Sequence, residues 1–234
     1  MLLARWTIGN TTAAGYECLK ESISSFKKLY ECNVIVCHNC DPTVLNGITH
    51  DLFDQRSTAS TAQIKPAGVS WKLYPPRIDE SVHEIVIDND IIFRNRIKEI
   101  DTFLDNDCTL LLQDDTRTYG RFDKFVPMGY EINSGIYGMP PNFSLQKYVN
   151  FYCRTDWVKN ALGSNKESIT FDEQGLVALS LLDYHNFLII PNTSVTNCEH
   201  NLKIADAMHF IGLNRRSFHR PFSEFKLYNT RMYL

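Results

Sequence analysis

Short apolar runs alternate along this chain with longer stretches in which apolar residues return every three or four positions. The first run, "ARWTI", opens into the small polar loop "GNTTAAG". Behind it Leu19, Ile23, Phe26 and Tyr30 recur at helical spacing, which predicts an amphipathic helix, and "NVIVC" predicts a second strand. Strand, helix, strand is a parallel crossover unit, whose ligands gather at the carboxyl ends of the strands. Asp51 to Pro66 is polar and weakly patterned, and "LYPPR" cannot continue a helix through its prolines, so both are expected to be surface connections. "HEIVIDNDIIFRN" reads as a buried strand broken by acids, and "NRIKEIDTFLDND" as a helix with Ile97, Ile100 and Leu104 on one face. "CTLLLQDD" is a further buried strand, and "EINSGIYGMPPNF" a strand interrupted by a small-residue turn. "SLQKYVNFYCRTDWV" predicts a helix from Ser144, and "TFDEQGLVALSLLDYH" another, with Thr170 and Glu173 in capping-box positions. "FLIIP" and "DAMHFIG" are the last strands. The alternation predicts one α/β domain over 1–234: a Rossmann-like, mostly parallel mixed sheet flanked by helices.

Composition narrows the partners. A chain of 234 residues with 44% hydrophobic content can bury one substantial core. A net charge of -3, with basic residues scattered apart from Arg215-Arg216, lacks the footprint of a nucleic-acid binder. No apolar stretch approaches the roughly 20 residues of a membrane span, and "MLLARWTIGN" lacks a signal-peptide pattern, so a cytoplasmic location is expected. Seven cysteines, an odd number, fit a reducing compartment better than a disulfide framework. Cys37-His38-Asn39-Cys40 could nucleate a zinc site, but no second ligand pair completes it, and buried or loop thiols are expected.

The acids inside the apolar strand need a partner, because a carboxylate in such surroundings is costly unless neutralised. Residues two apart on a strand face the same way, so Asp88 and Asp90 can converge on one cation while Asn89 faces elsewhere. A hard divalent ion, Mn²⁺ or Mg²⁺, suits paired carboxylates and leaves positions for phosphate oxygens. His209, near the end of a late strand in "MHFIGLNRR", can complete such a site. Gly212 would let the backbone approach a phosphate, and Arg215 would add positive charge.

The order of these motifs, "GNTT", DND, NSG, DEQ and HFIGLNR, resembles the retaining GT-A glycosyltransferases of the glycogenin and lipopolysaccharide galactosyltransferase kind, glycosyltransferase family eight. The resemblance spans Thr7 to Arg215 and implies a GT-A domain in which Asp88, Asp90 and His209 hold Mn²⁺ against the diphosphate of a UDP-sugar. It places Thr7, Ile8, Gly9, Asn10 and Thr12 in the loop that receives uridine, with Asn10 and Thr12 on the base. Lys72 falls where the family commonly carries an arginine that touches the donor, and Arg77 is the second candidate for that role. Asp114 matches an acid on the sugar hydroxyls, and Asn133 and Ser134 match small polar residues that hold the sugar, with Asn89 also on the donor. Glu173-Gln174 match an Asp-Gln pair beside the anomeric carbon, with Asp172 one position earlier. The family's HxxGxxK reads HFIGLNR here, so Arg215 stands in place of a lysine as a planar fork rather than a point charge.

What the resemblance implies is Mn²⁺-dependent transfer of a hexose from a UDP-sugar to an acceptor hydroxyl with retention of configuration. Glu173, Gln174 and Asp114 are the candidate catalytic residues, and same-face attack through an ion pair is favoured over a covalent intermediate. Two other readings remain: a sugar-nucleotide-binding module without transfer, and a nucleotidyltransferase, which usually needs a basic Gly-rich loop that "GNTTAAG" lacks. The acceptor, whether glycan, lipid or protein, is not encoded in a motif. The aromatic and basic tail 215–234 could close over the site, touch a membrane surface or support a homodimer.

Overall fold

The computed structural model of the chain describes residues 1–48, 50–59, 65–156, 159–160, 171–197 and 204–210. Thr170, Gly212, Arg215 and the tail 215–234 lie outside them. The core is a seven-stranded sheet in the order β3-β2-β1-β4-β7-β6-β8. Its strands are β1 (Leu2–Ile8), β2 (Asn33–His38), β3 (Asp51–Asp54), β4 (His83–Ile87), β6 (Thr109–Gln113), β7 (Ile132–Met139) and β8 (Phe187–Ile190). β7 runs antiparallel to both β4 and β6, while the other pairings are parallel. β5 (Ile91–Phe93), β9 (Val195–Thr196) and β10 (Ala207–His209) form a second, three-stranded sheet.

The first crossover unit shows why this order forms. Along β1, Leu2, Ala4, Trp6 and Ile8 point to the face covered by α1 (Ala13–Leu29), where Leu19, Ile23 and Phe26 meet them in one buried cluster. Trp6 donates its indole N–H to Ser22 Oγ at 2.9 Å and packs edge-on against Phe26. Thr12 caps α1 by accepting from the Gly15 N–H, and Lys27 and Lys28 in its last turn complement the helix dipole. β2 then lies on one side of β1 and β4 on the other, so the strand order reverses at β1 and leaves a crevice at the carboxyl ends of β1 and β4.

Three local expectations are corrected. The apolar run broken by acids is two strands in two sheets: Ile87 ends β4, Ile91 begins β5, and Asp88-Asn89-Asp90 form the turn between them, closed by Ile91 N–H to Asp88 C=O. Asn133-Ser134-Gly135 is not a turn; β7 runs straight through it, and the register against β6 shifts between Leu111 and Leu112. The polar stretch after residue 50 contains β3, an edge strand parallel to β2, and the short helix α2 (Arg56–Ala59). Helices α3 (Lys98–Leu104), α4 (Leu145–Arg154) and α5 (Asp172–Leu182) follow, with α5 buried on nearly every side against β7.

Candidate functional site

The acidic turn joins the two sheets, and the registers on both sides bring its ligands together. Asp88 N–H donates to the Gly135 carbonyl on β7 at 2.7 Å, and Phe210 N–H donates to the Asp90 carbonyl at 2.8 Å. β10 pairs with β5 so that His209 stands opposite Ile91, the residue after Asp90. His209 Nε2 consequently lies 3.3 Å from Asp90 Oδ1 and 3.8 Å from Asp88 Oδ2. Gly135 makes room for this: a Cβ there would sit 2.7 Å from His209 Cε1. Among the described residues, Asp88, Asp90 and His209 are the group of ligand side chains able to hold a metal ion, with ligand atoms within 4.8 Å of one another. Burial works against a charge on His209, but Asp90 and then Asp88 outweigh it and raise its pKa.

The donor set fits a hard divalent cation. Two carboxylates and one imidazole converge, the imidazole buried and both carboxylates part-exposed to the crevice, leaving open positions on the solvent side.

Beside the acids stands a buried ammonium. Lys72, in the 3₁₀ turn Gly68–Leu73, places Nζ 2.8 Å from Asp88 Oδ1 and 3.1 Å from Ser134 Oγ. Burial opposes its charge, yet Asp88 and Glu173 outweigh it and raise its pKa. Lys72 is itself held from below: its carbonyl accepts from Arg5 at 3.2 Å and from the Tyr137 hydroxyl at 3.1 Å. Glu173 follows on α5, where the Ser134 hydroxyl donates to Oε1 at 3.2 Å while Oε2 is buried without a partner among the described residues. Burial pushes the Glu173 carboxyl up, Lys72 opposes that, and Asp88 adds to it.

Phe171, with a left-handed φ of 69°, turns the chain into α5 and sets the acid register. Asp172 faces away, its carboxylate held by the backbone and guanidinium of Arg121, so Glu173 is the acid on the Ser134 side. Gln174 is pinned at both ends: its Oε1 accepts from Ser134 N–H at 3.1 Å and its Nε2 donates to the Thr118 carbonyl at 2.8 Å. A second chain of bonds reaches the Asp88, Asp90 and His209 group from β6. Asp114 Oδ2 accepts from Asn133 Nδ2 at 2.9 Å, and Asn133 Oδ1 accepts from the N–H of Gly135, under His209.

The crevice at the β1–β4 switch has a volume of about 520 Å³, within the range of small-ligand sites. Thr7, Ile8, Gly9 and Asn10 line it from the β1 end, and Lys72 and the whole Asp88-Asn89-Asp90 turn from the other. Four expected donor residues do not line it: Asn133 lines a separate small cleft with Asp114 and His209, Ser134 is buried beside Lys72, and Thr12 and Arg77 lie elsewhere. Thr12 is exposed and spends its hydroxyl on the α1 cap. Arg77 lies at the amino end of β4, a five-residue strand of roughly 16 Å away from the acids. Its guanidinium is taken by the carbonyls of Val82, Met139, Pro140 and Phe143, with Glu84 at 3.9 Å. Gly212 and Arg215 lie outside the described residues.

Residue reading missed Asn39, which lines the crevice from the end of β2, and the Arg5–Tyr137 support beneath Lys72. Arg5 carried a signal: it is an arginine inside an apolar strand. Asn39 carried one only through its position after a strand. The four-residue Cys37–Cys40 cluster holds no metal geometry, since Cys37 and Cys40 are buried thiols and His38 Nδ1 lies 3.2 Å from the Cys40 carbonyl. Among the described residues no helix is long and apolar enough to cross a membrane.

Neither a protein-family model nor a curated protein sequence matches this chain. Among solved structures, the apo crystal structure of mouse xyloside xylosyltransferase 1 is similar, with a TM-score of 0.55 at 12% identity over 90% of this chain and 97% of that one. Identity that low establishes likeness of fold. The seven-stranded, mostly parallel sheet flanked by helices matches the fold of that transferase.

Proposed function

We propose that the chain is a metal-dependent glycosyltransferase that moves a hexose from a UDP-sugar to an acceptor hydroxyl with retention, in the manner of the glycogenin and lipopolysaccharide galactosyltransferase family. The observation that carries this reading is the convergence of Asp88, Asp90 and His209 at the switch point of a glycosyltransferase-like sheet. Bound there, Mn²⁺ or Mg²⁺ would supply charge neutralisation for a diphosphate leaving group.

The chain's own residues supply the rest. Thr7 to Asn10 receive the nucleoside, Asn89 lines the donor path, and Lys72 adds a fixed positive charge beside Asp88. Gly212 and Arg215 are assigned to the phosphates. Asp114, Asn133 and Ser134 present oxygen and amide groups to the sugar hydroxyls. Gln174 is held at both ends of its amide and is no nucleophile. The bond from the anomeric carbon to the β-phosphate oxygen breaks with its electron pair going to UDP. The acceptor oxygen bonds the same face, and its proton passes to that phosphate oxygen. Glu173, with one buried oxygen unpartnered among the described residues, stabilises positive charge developing on the sugar ring.

Calorimetric titration of UDP with and without Mn²⁺ tests the site, followed by UDP release from UDP-glucose, UDP-galactose and UDP-xylose. The last sugar is included because the structural neighbour is named a xylosyltransferase. Mn²⁺-dependent binding with turnover of one donor supports the reading. Binding without turnover of any donor leaves a sugar-nucleotide-binding module, and absence of binding removes the donor assignment altogether.

A further inference from the structure

The crevice has two chemically different ends. Its charged lining residues are Lys72, Asp88 and Asp90, all on the β4 side. At the β1–β2 side the lining is neutral: Ile8, Gly9 and Asn10 after β1 and Asn39 after β2. A nucleoside diphosphate has the same polarity, with a polyanion at one end and an uncharged planar base at the other.

Asn39 is built into that neutral end. It is the first residue after β2, and its backbone N–H donates to the Ile8 carbonyl at 3.3 Å, which stitches it to the end of β1. Its carboxamide lies over bare Gly9, where a Cβ would come within 2.8 Å of Asn39 Oδ1. An asparagine in a connecting loop usually spends its amide on nearby backbone. Among the described residues the Asn39 carboxamide makes no such bond, and it stands half-buried on the crevice wall. Thr7 also lines the crevice, and its Oγ1 is buried without a partner among the described residues.

Resting on the UDP-sugar reading, we propose that Asn39 reads the pairing edge of the donor's uracil. Uracil presents N3–H between two carbonyl oxygens. A carboxamide answers this edge in one plane, Oδ1 accepting from N3–H and Nδ2 donating to an adjacent carbonyl. Thr12, expected on the base, is spent on its helix cap instead. Gly9 is required because any side chain there would displace the amide.

The test titrates UDP and N3-methyl-UDP, each with Mn²⁺, into the wild-type chain and into Asn39→Leu. The wild type is expected to prefer UDP by roughly tenfold or more, the scale for a buried polar group left unpaired. Asn39→Leu should bind both nucleotides equally, and as weakly as the wild type binds the methylated one. Inorganic pyrophosphate with Mn²⁺ should bind both chains alike, showing that the charged end of the crevice is intact. Asn39→Ala gives the same comparison should the leucine variant fail to fold. A preference for UDP that survives in the variants, or no preference in the wild type, overturns the assignment while leaving the transferase reading in place. Failure of the wild type to bind UDP overturns both.

Discussion

At the amino end of β4, Glu84 is sealed between Arg5 and Arg77; at the carboxyl end, Asp88 and Asp90 stand part-exposed beside Lys72 and His209. Both ends bring charge into the core of one sheet. At the amino end every charge is answered by a fixed group of the chain: Arg5 bonds Pro75 and Lys72 carbonyls besides Glu84, and Glu84 also accepts from Ile78 N–H at 2.8 Å. At the carboxyl end Asp88 and Glu173 share one ammonium, Lys72, Asp90 faces His209, and Asp88 and Asp90 open onto a crevice. A buried carboxylate held between two guanidiniums of the chain is structural; carboxylates that open onto a crevice offer a place for an external cation.

The largest effect should come from the open end. Asp90→Ala removes one of three metal-binding side chains and should cut Mn²⁺-dependent sugar release by roughly a thousandfold, several kcal/mol of barrier. Thermal stability should hold, because the carboxylate removed is part-exposed to the crevice. Undiminished turnover would sever the acids from function. Glu84→Ala should do the reverse. Leaving Arg5 and Arg77 without their carboxylate should cost about 3–5 kcal/mol in urea unfolding, while the folded protein still binds Mn²⁺. A loss of metal binding matching that of Asp90→Ala would erase the difference between the two ends. Lys72→Met sits between these: freeing Asp88 Oδ1 should tighten Mn²⁺ binding a few-fold in calorimetry without nucleotide, and still lower turnover.

These contrasts also mark how far the sequence can be read. The first crossover unit was legible because Leu19, Ile23 and Phe26 repeat on one helical face against the alternating side of β1. The acids stood out against their apolar flanks, but their convergence was misattributed to strand alternation, since one run of residues does not reveal that its halves enter different sheets. β3 left no pattern because an edge strand buries little; Leu52 is 42% exposed. Lys72 and Arg77 were two basic residues in one short stretch. Which of them reaches the crevice depends on Glu84 and the carbonyls of Pro140 and Phe143, distant in sequence, that capture Arg77. Asn39 was hidden in a cluster whose cysteines and histidine drew the chemical reading toward zinc.

The smallest expected effect concerns Glu173. Burial raises its carboxyl pKa, with Lys72 opposing. A carboxyl raised in the fold favours the protonated form, so its contribution to stability is complete below the unfolded value and is lost as pH rises through the folded value. Above that window the ionised side chain should therefore hold the fold back. Glu173→Gln keeps an oxygen for the Ser134 hydroxyl and removes the charge; its stability relative to wild type should grow as pH rises through that window, reaching about 1 kcal/mol. Urea unfolding of both proteins across a pH series measures this, and donor turnover should fall in the same variant. A flat difference would mean that Lys72 fully balances Glu173. The carboxyl end of β4 would then be as compensated as the amino end, leaving only the exposure of Asp88 and Asp90 to distinguish them.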